Sequence, residues 1–360
     1  MGRWSVVVGR ADRATDPAHR IERRRPSDHG RTREREHLVT GSEDASAAAD
    51  DGRDRFEMLL GMLPAEDPRR DIDTASLVGR FPHLSDVRIR DVEFAGSDGA
   101  VCGRVYTGPT ASGSGLVWVH GGAFISGSLD MPESHWVGME LAARGIPVLA
   151  LDYRKALAGV SHPALSDDVL TGWRAAATDE GLLGVAARDL HLGGASAGAN
   201  LVAGVAVRER DAGGALPASL LLFYPVLHDR VPAPGPAARE AAIAVPPELR
   251  FSPQFIRAVT ENYVGASGST ADPVAFPAHA RLDGLPPTLI VNAEADDLRP
   301  SGEEFGSLLA DAGVSAETIF EPGTVHGYLD HPGLPEAVAS IGRIAARIMG
   351  SSPADGSSRG

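Results

Sequence analysis

Continuous apolar runs, each followed by a helical pattern, constrain the fold of this chain more than any other feature. The runs are GLVWVH, IPVLALDY, DLHLGG, ASLLLFYPVL and PPTLIVNAEAD, and they are separated by helical patterns such as ESHWVGMELAAR and AGANLVAGVAVRER. A strand without a polar face must be covered on both sides, as parallel strands between two helix layers are. The alternation therefore predicts an α/β fold, with a mostly parallel central sheet and helices on both of its faces.

Two earlier segments follow a different pattern. VRIRDVEF and AVCGRVY alternate polar and apolar residues, and GSDG separates them. This combination predicts a β-hairpin, which would make the sheet mixed. The second segment contains Cys102, the only cysteine of the chain, so no internal disulfide can form, and we expect a buried thiol there.

Composition excludes several classes of function. A formal net charge of −14 over 360 residues argues against nucleic-acid binding, which requires a basic surface. Cysteine pairs and an HExxH motif are both absent from the sequence, so we expect neither a metal nor a cofactor. No apolar run approaches the length of a membrane span, and WSVVVG is too short for a signal-peptide core, so we expect a cytoplasmic protein without membrane contact.

Three parts of the chain do not fit the alternation of strands and helices. Residues 1–45 are rich in Arg, Asp, Glu and Ser without a hydrophobic period, and we expect them, like residues 351–360, to form disordered tails. Residues 229–285 separate two core strands by more than an ordinary connection. They contain one helical pattern, SPQFIRAVTENYVG, with Ser252 as its N-cap. Such an insertion at the carboxyl edge of a sheet is well placed to cover a site.

The stretch LGGASAGAN places Ser196 between Gly194 and Gly198. In a chain this rich in glycine, Gly-x-Ser-x-Gly alone is weak evidence. Its position between a predicted strand and a predicted helix is, however, what a nucleophile elbow requires. The helix N-terminus would also favour the negative charge that develops during acyl transfer. We therefore predict that Ser196 is a nucleophile.

A second glycine-rich stretch, WVHGGAF, follows the first buried strand. Gly121 and Gly122 allow the backbone to fold close to a ligand and to direct two N–H groups at one point. Together with the N–H of Ala197, these groups would form an oxyanion hole for a tetrahedral intermediate. The alternative is an ordinary Gly-Gly turn.

An acid and a histidine follow the serine in chain order. VNAEADDLRP offers Asp296 and Asp297 after one predicted strand, and EPGTVHGYL offers His326 after the last. In a triad, the histidine takes the serine proton and returns it to the leaving group, while the acid fixes the imidazole tautomer. The order Ser, Asp, His is that of α/β-hydrolases.

Taken together, these motifs resemble those of the hormone-sensitive-lipase branch of the α/β-hydrolase fold, a family of bacterial esterases and lipases. Members carry HGGG, GDSAGGN, DPLR and HGF motifs, where this chain has HGGA, GASAGAN, DDLR and HGY. The resemblance covers roughly residues 50–350. It implies a catalytic core over residues 86–228 and 276–350, and a helical cap over residues 46–85 and 229–275.

The same resemblance implies a serine carboxylesterase that hydrolyses short- to medium-chain acyl esters, with a small-molecule ester as its partner. It favours Asp296 as the acid, since Asp297 stands where relatives usually have proline. An amide or O-acetyl deacylase with the same triad is the alternative, because the fold does not separate these substrates. A non-catalytic ligand-binding relative is less expected, because such relatives lack the histidine that His326 supplies. A homodimer is left open.

Three departures from the family pattern stand out. Ala123 replaces the third glycine of the HGGG motif, which costs little if its φ is negative. Ala195 replaces the aspartate beside the nucleophile, so one polar contact near the elbow is expected to be absent. RKALAG replaces RLAPE in a loop that borders the site in relatives, so we expect the mechanism to be kept more surely than the specificity.

Overall fold

An eight-stranded mixed sheet forms the centre of the computed structural model of this protein. The residues that the structure describes are 53–58, 60–61 and 71–350. The predicted tails, residues 1–45 and 351–360, lie outside these residues, as does part of the predicted cap segment 46–85.

The strands β1 to β8 are Arg88–Gly96, Gly99–Thr107, Gly115–Val119, Val148–Leu151, Leu190–Ala195, Leu220–Phe223, Thr288–Ala295 and Ala316–Val325. Their order across the sheet is β1-β2-β4-β3-β5-β6-β7-β8. β2 is antiparallel to both of its neighbours, and the other adjacent pairs are parallel. The predicted α/β fold with a mostly parallel sheet is therefore confirmed.

Helices cover both faces of this sheet. The helices α1 to α9 are Thr74–Arg80, Pro132–Ala143, Ala164–Thr178, Glu180–Leu183, Ala197–Ala212, Pro236–Ile243, Pro253–Val264, Arg299–Asp311 and Pro335–Gly350. In β3, Val117 and Val119 join the hydrophobic cluster beneath α3, α5 and α8, whereas Leu116 and Trp118 join the cluster beneath α2 and α9. Because neighbouring side chains of a strand point to opposite faces, β3 needs apolar residues at every position.

The inserted segment before β7 contains α6 and α7. Ser252 caps α7 as predicted, and its side chain accepts a hydrogen bond from a backbone N–H of the first turn. The helical residues 53–58 and 60–61 place Phe56 in the same hydrophobic cluster as α7, whereas Leu77 of α1 belongs to the cluster on the other face of the sheet. The boundaries of the cap, 46–85 and 229–275, stay a prediction.

The expectation of a buried thiol is wrong, because Cys102 is exposed. In β2, Val101 and Gly103 are buried on either side of it. Since successive side chains alternate between faces, Cys102 lies on the opposite, uncovered face of the hairpin.

Gly198 permits the close approach of α5 to the end of β3. A Cβ at this position would collide with the backbone carbonyl oxygens of Val119 and His120. We predict that Gly198→Ala lowers the free energy of unfolding by about 3 kcal/mol or more, because backbone atoms must move to admit the methyl group.

Gly342→Ala in α9 provides the control, because a Cβ there meets no atom within 4 Å. It should raise the free energy of unfolding by about 0.5–1 kcal/mol, since alanine favours the helix. Urea unfolding of both variants measures the difference. Equal stability of Gly198→Ala and the wild type would contradict the packing described here.

Candidate active site

The predicted site residues lie on loops that follow four strands of the sheet. Gly121 follows β3, Ser196 follows β5, Asp296 follows β7 and His326 follows β8. Parallel strands have their carboxyl ends at the same edge, so these loops converge although the residues are far apart in sequence.

A continuous line of hydrogen bonds joins the three predicted triad residues. Nε2 of His326 lies 2.9 Å from Oγ of Ser196, and Nδ1 lies 2.8 Å from Oδ2 of Asp296. The Asp296 side chain is fully buried, and that of His326 is 15% exposed. Since an ionised carboxylate only accepts, Nδ1 carries the proton and Nε2 is left to accept from the serine hydroxyl.

The backbone of Ser196 has a conformation that non-glycine residues rarely adopt. Its φ is 52° and its ψ is −118°, and α5 begins at the next residue. A Cβ at Gly194 would lie 2.6 Å from the carbonyl oxygen of Val119, so glycine is needed there. The strained turn is held by its surroundings and presents Oγ to the imidazole.

The two neighbouring aspartates point in different directions. Asp296 contacts His326, and its Oδ1 accepts a hydrogen bond from the Leu298 N–H at 2.9 Å. Asp297 accepts hydrogen bonds from the Arg250 side chain and from the Phe251 N–H. Of the two candidates, the structure therefore brings only Asp296 to the histidine.

The predicted oxyanion donors are not all directed at the same place. The N–H of Gly121 donates to Oε1 of Glu133 at 2.5 Å. In the part of the chain that the structure describes, no protein group accepts from the N–H of Gly122 or Ala123. Ala197 is the first residue of α5, where helix geometry leaves the N–H without a partner in the helix. The Gly121 N–H thus already has a partner, and the neighbouring N–H of Ala123 is available instead.

Glu133 is a buried carboxyl group that the sequence analysis did not single out. Besides the Gly121 N–H, it accepts a hydrogen bond from the Tyr224 hydroxyl, and its own N–H donates to Asp330. Burial and the charge of Asp330 raise the pKa of Glu133 to about 7. The Tyr224 ring lies 4.9 Å from that of His326. Glu133 therefore connects residues 121–126, here called the oxyanion loop after its predicted role, to the surroundings of the histidine. In the sequence it looked like an ordinary acidic residue in the first turn of a helix.

Hydrogen bonds also fix the Gly121 carbonyl group at the start of the oxyanion loop. Nδ1 of the buried His120 donates to the Gly121 carbonyl oxygen at 2.7 Å, and the Tyr153 hydroxyl donates to the same oxygen at 3.1 Å. Burial and the positive charge of Lys155 lower the pKa of His120. Its Nε2 lies 3.0 Å from Oδ1 of Asp152. Lys155 in turn contacts Asp152 at 2.5 Å.

Ala123 does not have the negative φ that would make its replacement of glycine inexpensive. Its φ is 53°, and that of Phe124 is 65°. The loop folds back so tightly that the N–H groups of Ile125 and Ser126 both donate to the carbonyl oxygen of Gly122. Positive φ is therefore imposed by the turn, and glycine would suit this position better than alanine.

Among the described residues, no helix is long and apolar enough to cross a membrane. Within the same part of the chain, no group of three or more His, Cys, Asp or Glu side chains is arranged to hold a metal ion.

Comparison with known proteins identifies the class to which this fold and site belong. Residues 116–330 match a protein family that has the alpha/beta hydrolase fold. The chain belongs to this family, and the resemblance to its esterase and lipase members is confirmed.

Particular relatives are named esterases. Esterase LipI of Mycobacterium tuberculosis is 31% identical over 75% of this chain and 85% of its own length. Carboxylesterase NlhH of the same organism is 32% identical over 65% of this chain and 72% of its own. A hyperthermophilic esterase from Pyrobaculum calidifontis matches with a TM-score of 0.66 and 28% identity, over 83% of this chain and 96% of that one.

The raised pKa of Glu133 generates a prediction about stability. A folded-state pKa of about 7 lies above the unfolded value of 4.5, so the folded state holds more protons between these pH values. The contribution of this group to stability is therefore fully present below pH 4.5 and is lost as the pH rises through 7. Glutamine resembles the neutral form and still accepts from the Gly121 N–H. We predict that the stability of Glu133→Gln relative to the wild type rises by on the order of 2 kcal/mol between pH 5 and pH 8.

Urea unfolding at several pH values checks this prediction. The other titrating groups are common to both proteins, so their contributions largely cancel in the difference. A stability difference that does not change with pH would show that Glu133 titrates normally.

The positive φ of Ala123 generates a second prediction. Ala123→Gly should leave the free energy of unfolding unchanged or raise it by about 0.5 kcal/mol, because relief of the strained backbone offsets the entropy that glycine adds to the unfolded chain. Ala203→Gly, in the middle of α5, is the matched control and should lower it by about 1 kcal/mol or more. Thermal unfolding measures both. Similar losses in the two variants would contradict strain at Ala123.

Proposed function

We propose that this protein is a serine carboxylesterase that hydrolyses short- to medium-chain acyl esters through an acyl-enzyme intermediate. The observation that carries this proposal is the hydrogen-bond line from Ser196 through His326 to Asp296. Membership of the alpha/beta hydrolase family, with relatives named esterases, supports the reaction class.

The proposed reaction proceeds in two stages. Oγ of Ser196 attacks the ester carbonyl carbon while Nε2 of His326 takes its proton, and the tetrahedral intermediate then expels the alcohol, which receives that proton. Water next attacks the acyl-serine and gives a proton to His326. Collapse of the second intermediate releases the carboxylic acid and returns the proton to Ser196. Asp296 keeps the imidazole in the required tautomer and stabilises its charged form.

The oxyanion donors that we assign are the N–H groups of Gly122, Ala123 and Ala197. This set differs from the predicted one in replacing Gly121, whose N–H donates to Glu133. Gly121 then acts as the fixed end of the loop, held on its N–H side by Glu133 and on its carbonyl side by His120. Donors that are oriented in advance stabilise the oxyanion without reorganising during the reaction.

Several finer features stay predictions. They are the acyl chain length, the cytoplasmic location, the homodimer, and the preference for an ester over an amide or an O-acetyl group. The non-catalytic alternative is disfavoured, because His326 has both of the contacts that a general base requires.

Kinetics of nucleophile variants test the proposal. Ser196→Ala should lower kcat for p-nitrophenyl acetate by on the order of 10⁴-fold or more, because the proposed acyl-enzyme forms on its Oγ. Ser307→Ala, on the exposed side of α8, is the matched control and should keep wild-type activity. Hydrolysis by Ser196→Ala at the wild-type rate would overturn the assignment.

Substrate series resolve the open choices with the wild-type enzyme. Nitrophenyl esters from acetate to decanoate, with the matched nitroacetanilide, separate chain length from the nature of the scissile bond. We expect kcat/KM to be highest for the shorter esters and lower for the anilide. A preference for the anilide would favour the deacylase alternative.

A further inference from the structure

Asp297 makes a complete set of contacts that the triad does not use. Its Oδ1 accepts from Nη2 of Arg250 at 2.7 Å, and its Oδ2 accepts from Nε of the same guanidinium at 3.3 Å and from the Phe251 N–H at 2.8 Å. The Asp297 side chain is only 16% exposed. Bidentate guanidinium–carboxylate pairs fix orientation as well as distance, so this contact sets the position of residues 250 and 251.

The residue positioned in this way lies against the histidine of the triad. The ring of Phe251 is 4.9 Å from that of His326 and nearly perpendicular to it, at 86°. On another side, the Tyr224 ring contacts the same imidazole at 4.9 Å and 63°. The imidazole is thus flanked by two aromatic rings, one from the end of β6 and one from the segment that leads into α7.

Phe251 is also joined to the rest of the inserted segment. Its ring stacks on that of Phe255 in α7 at 5.6 Å, and Phe56 packs edge-on against Phe255 at 6.1 Å. The carbonyl oxygen of Arg250 accepts a hydrogen bond from Arg55. A displacement of α7 or of the helical residues 53–58 would therefore move Phe251 relative to the imidazole.

We propose that Asp297 is a positioning residue that ties the inserted segment to the loop after β7, which also carries Asp296. Through this latch, Phe251 holds His326 in its working orientation only while the segment is seated. This proposal rests on the proposed esterase function and concerns the same site. The two neighbouring aspartates then orient the imidazole by different routes. Asp296 acts through Nδ1, and Asp297 acts through the ring of Phe251.

Steady-state kinetics of Asp297→Ala test the latch. We expect kcat/KM for p-nitrophenyl butyrate to fall about tenfold, with KM rising as well as kcat falling, because fewer molecules have the segment seated when substrate arrives. A fluorophosphonate titration counts the active sites, so simple loss of folded protein would lower the count and leave KM unchanged. Asp297→Asn keeps an acceptor for the Phe251 N–H but loses the charge, and should show a smaller effect of about threefold.

Asp167→Ala is the matched control. Asp167 forms an ion pair with Arg208 at 2.7 Å, with side chains that are 31% and 28% exposed, and it lies in the first turn of α3. We expect its kcat and KM to match those of the wild type. If Asp297→Ala behaves like this control, the latch is overturned.

A double-mutant cycle identifies the route of the effect. If Asp297 acts through Phe251, then Phe251→Ala alone should give a loss similar to that of Asp297→Ala, and the double variant should lose little more. Losses that multiply in the double variant would show that Asp297 acts independently of Phe251, and would overturn the proposal.

Hydrogen exchange tests the latch without any reaction. In the absence of substrate, amides of residues 250–264 should exchange faster in Asp297→Ala than in the wild type or in Asp167→Ala. An inactive wild-type protein would refute the proposed esterase function while leaving this measurement valid. Unchanged exchange in Asp297→Ala would refute the latch itself.

Discussion

Both nitrogens of the His326 imidazole form hydrogen bonds, and the arrangement of the site depends on these two contacts. Nδ1 must donate to Asp296 for Nε2 to accept from Ser196, and these contacts of 2.8 and 2.9 Å come from the ends of three different strands. A one-residue change of register in β5, β7 or β8 would break the line. The buried, parallel centre of the sheet fixes the register of β5 and β7, because any slip would move apolar side chains out of their clusters. β8 is the edge strand, and its register follows from its pairing with β7. The precision of the site is therefore a consequence of the core.

Buried polar groups extend this fixation to the oxyanion loop. Glu133 and His120 are almost completely inaccessible, and each would be costly to bury without partners. Each is hydrogen-bonded instead, Glu133 to the N–H and His120 to the carbonyl oxygen of the same residue, Gly121. One peptide position is thereby held from two sides, and the N–H groups that follow it are left in defined directions. A loop fixed in this way can stabilise charge without first being reordered by the substrate.

The sequence predicts the features that depend on residue spacing along the chain, but not the direction in which individual N–H groups and side chains point. Continuous apolar runs revealed the buried strands, and strand-to-helix spacing located Ser196, because both reflect periodicity along the chain. Gly121 was singled out as an oxyanion donor, but sequence spacing does not tell which N–H of a turn faces a ligand. Glu133 went unnoticed since only the third dimension brings Tyr224 and Asp330 around it. The residues alone left Asp296 and Asp297 open, because adjacent residues of one loop point to different neighbours, and only the family resemblance favoured Asp296.

Backbone strain is concentrated where the chemistry is proposed to occur. Among the described residues, non-glycine positions with positive φ include Ser196, Ala123, Phe124 and Tyr224. Ser196 carries the proposed nucleophile, Ala123 and Phe124 lie in the proposed oxyanion loop, and the Tyr224 ring contacts that of His326. Each such position costs on the order of 1–3 kcal/mol and persists only if the surrounding packing leaves no relaxed alternative. The large, fully buried core on both faces of the sheet supplies that packing. The free energy gained by burying the core therefore offsets the backbone strain of the site. Substitutions that loosen the core beneath β3 or β5 should therefore reduce the order of the site before they unfold the protein.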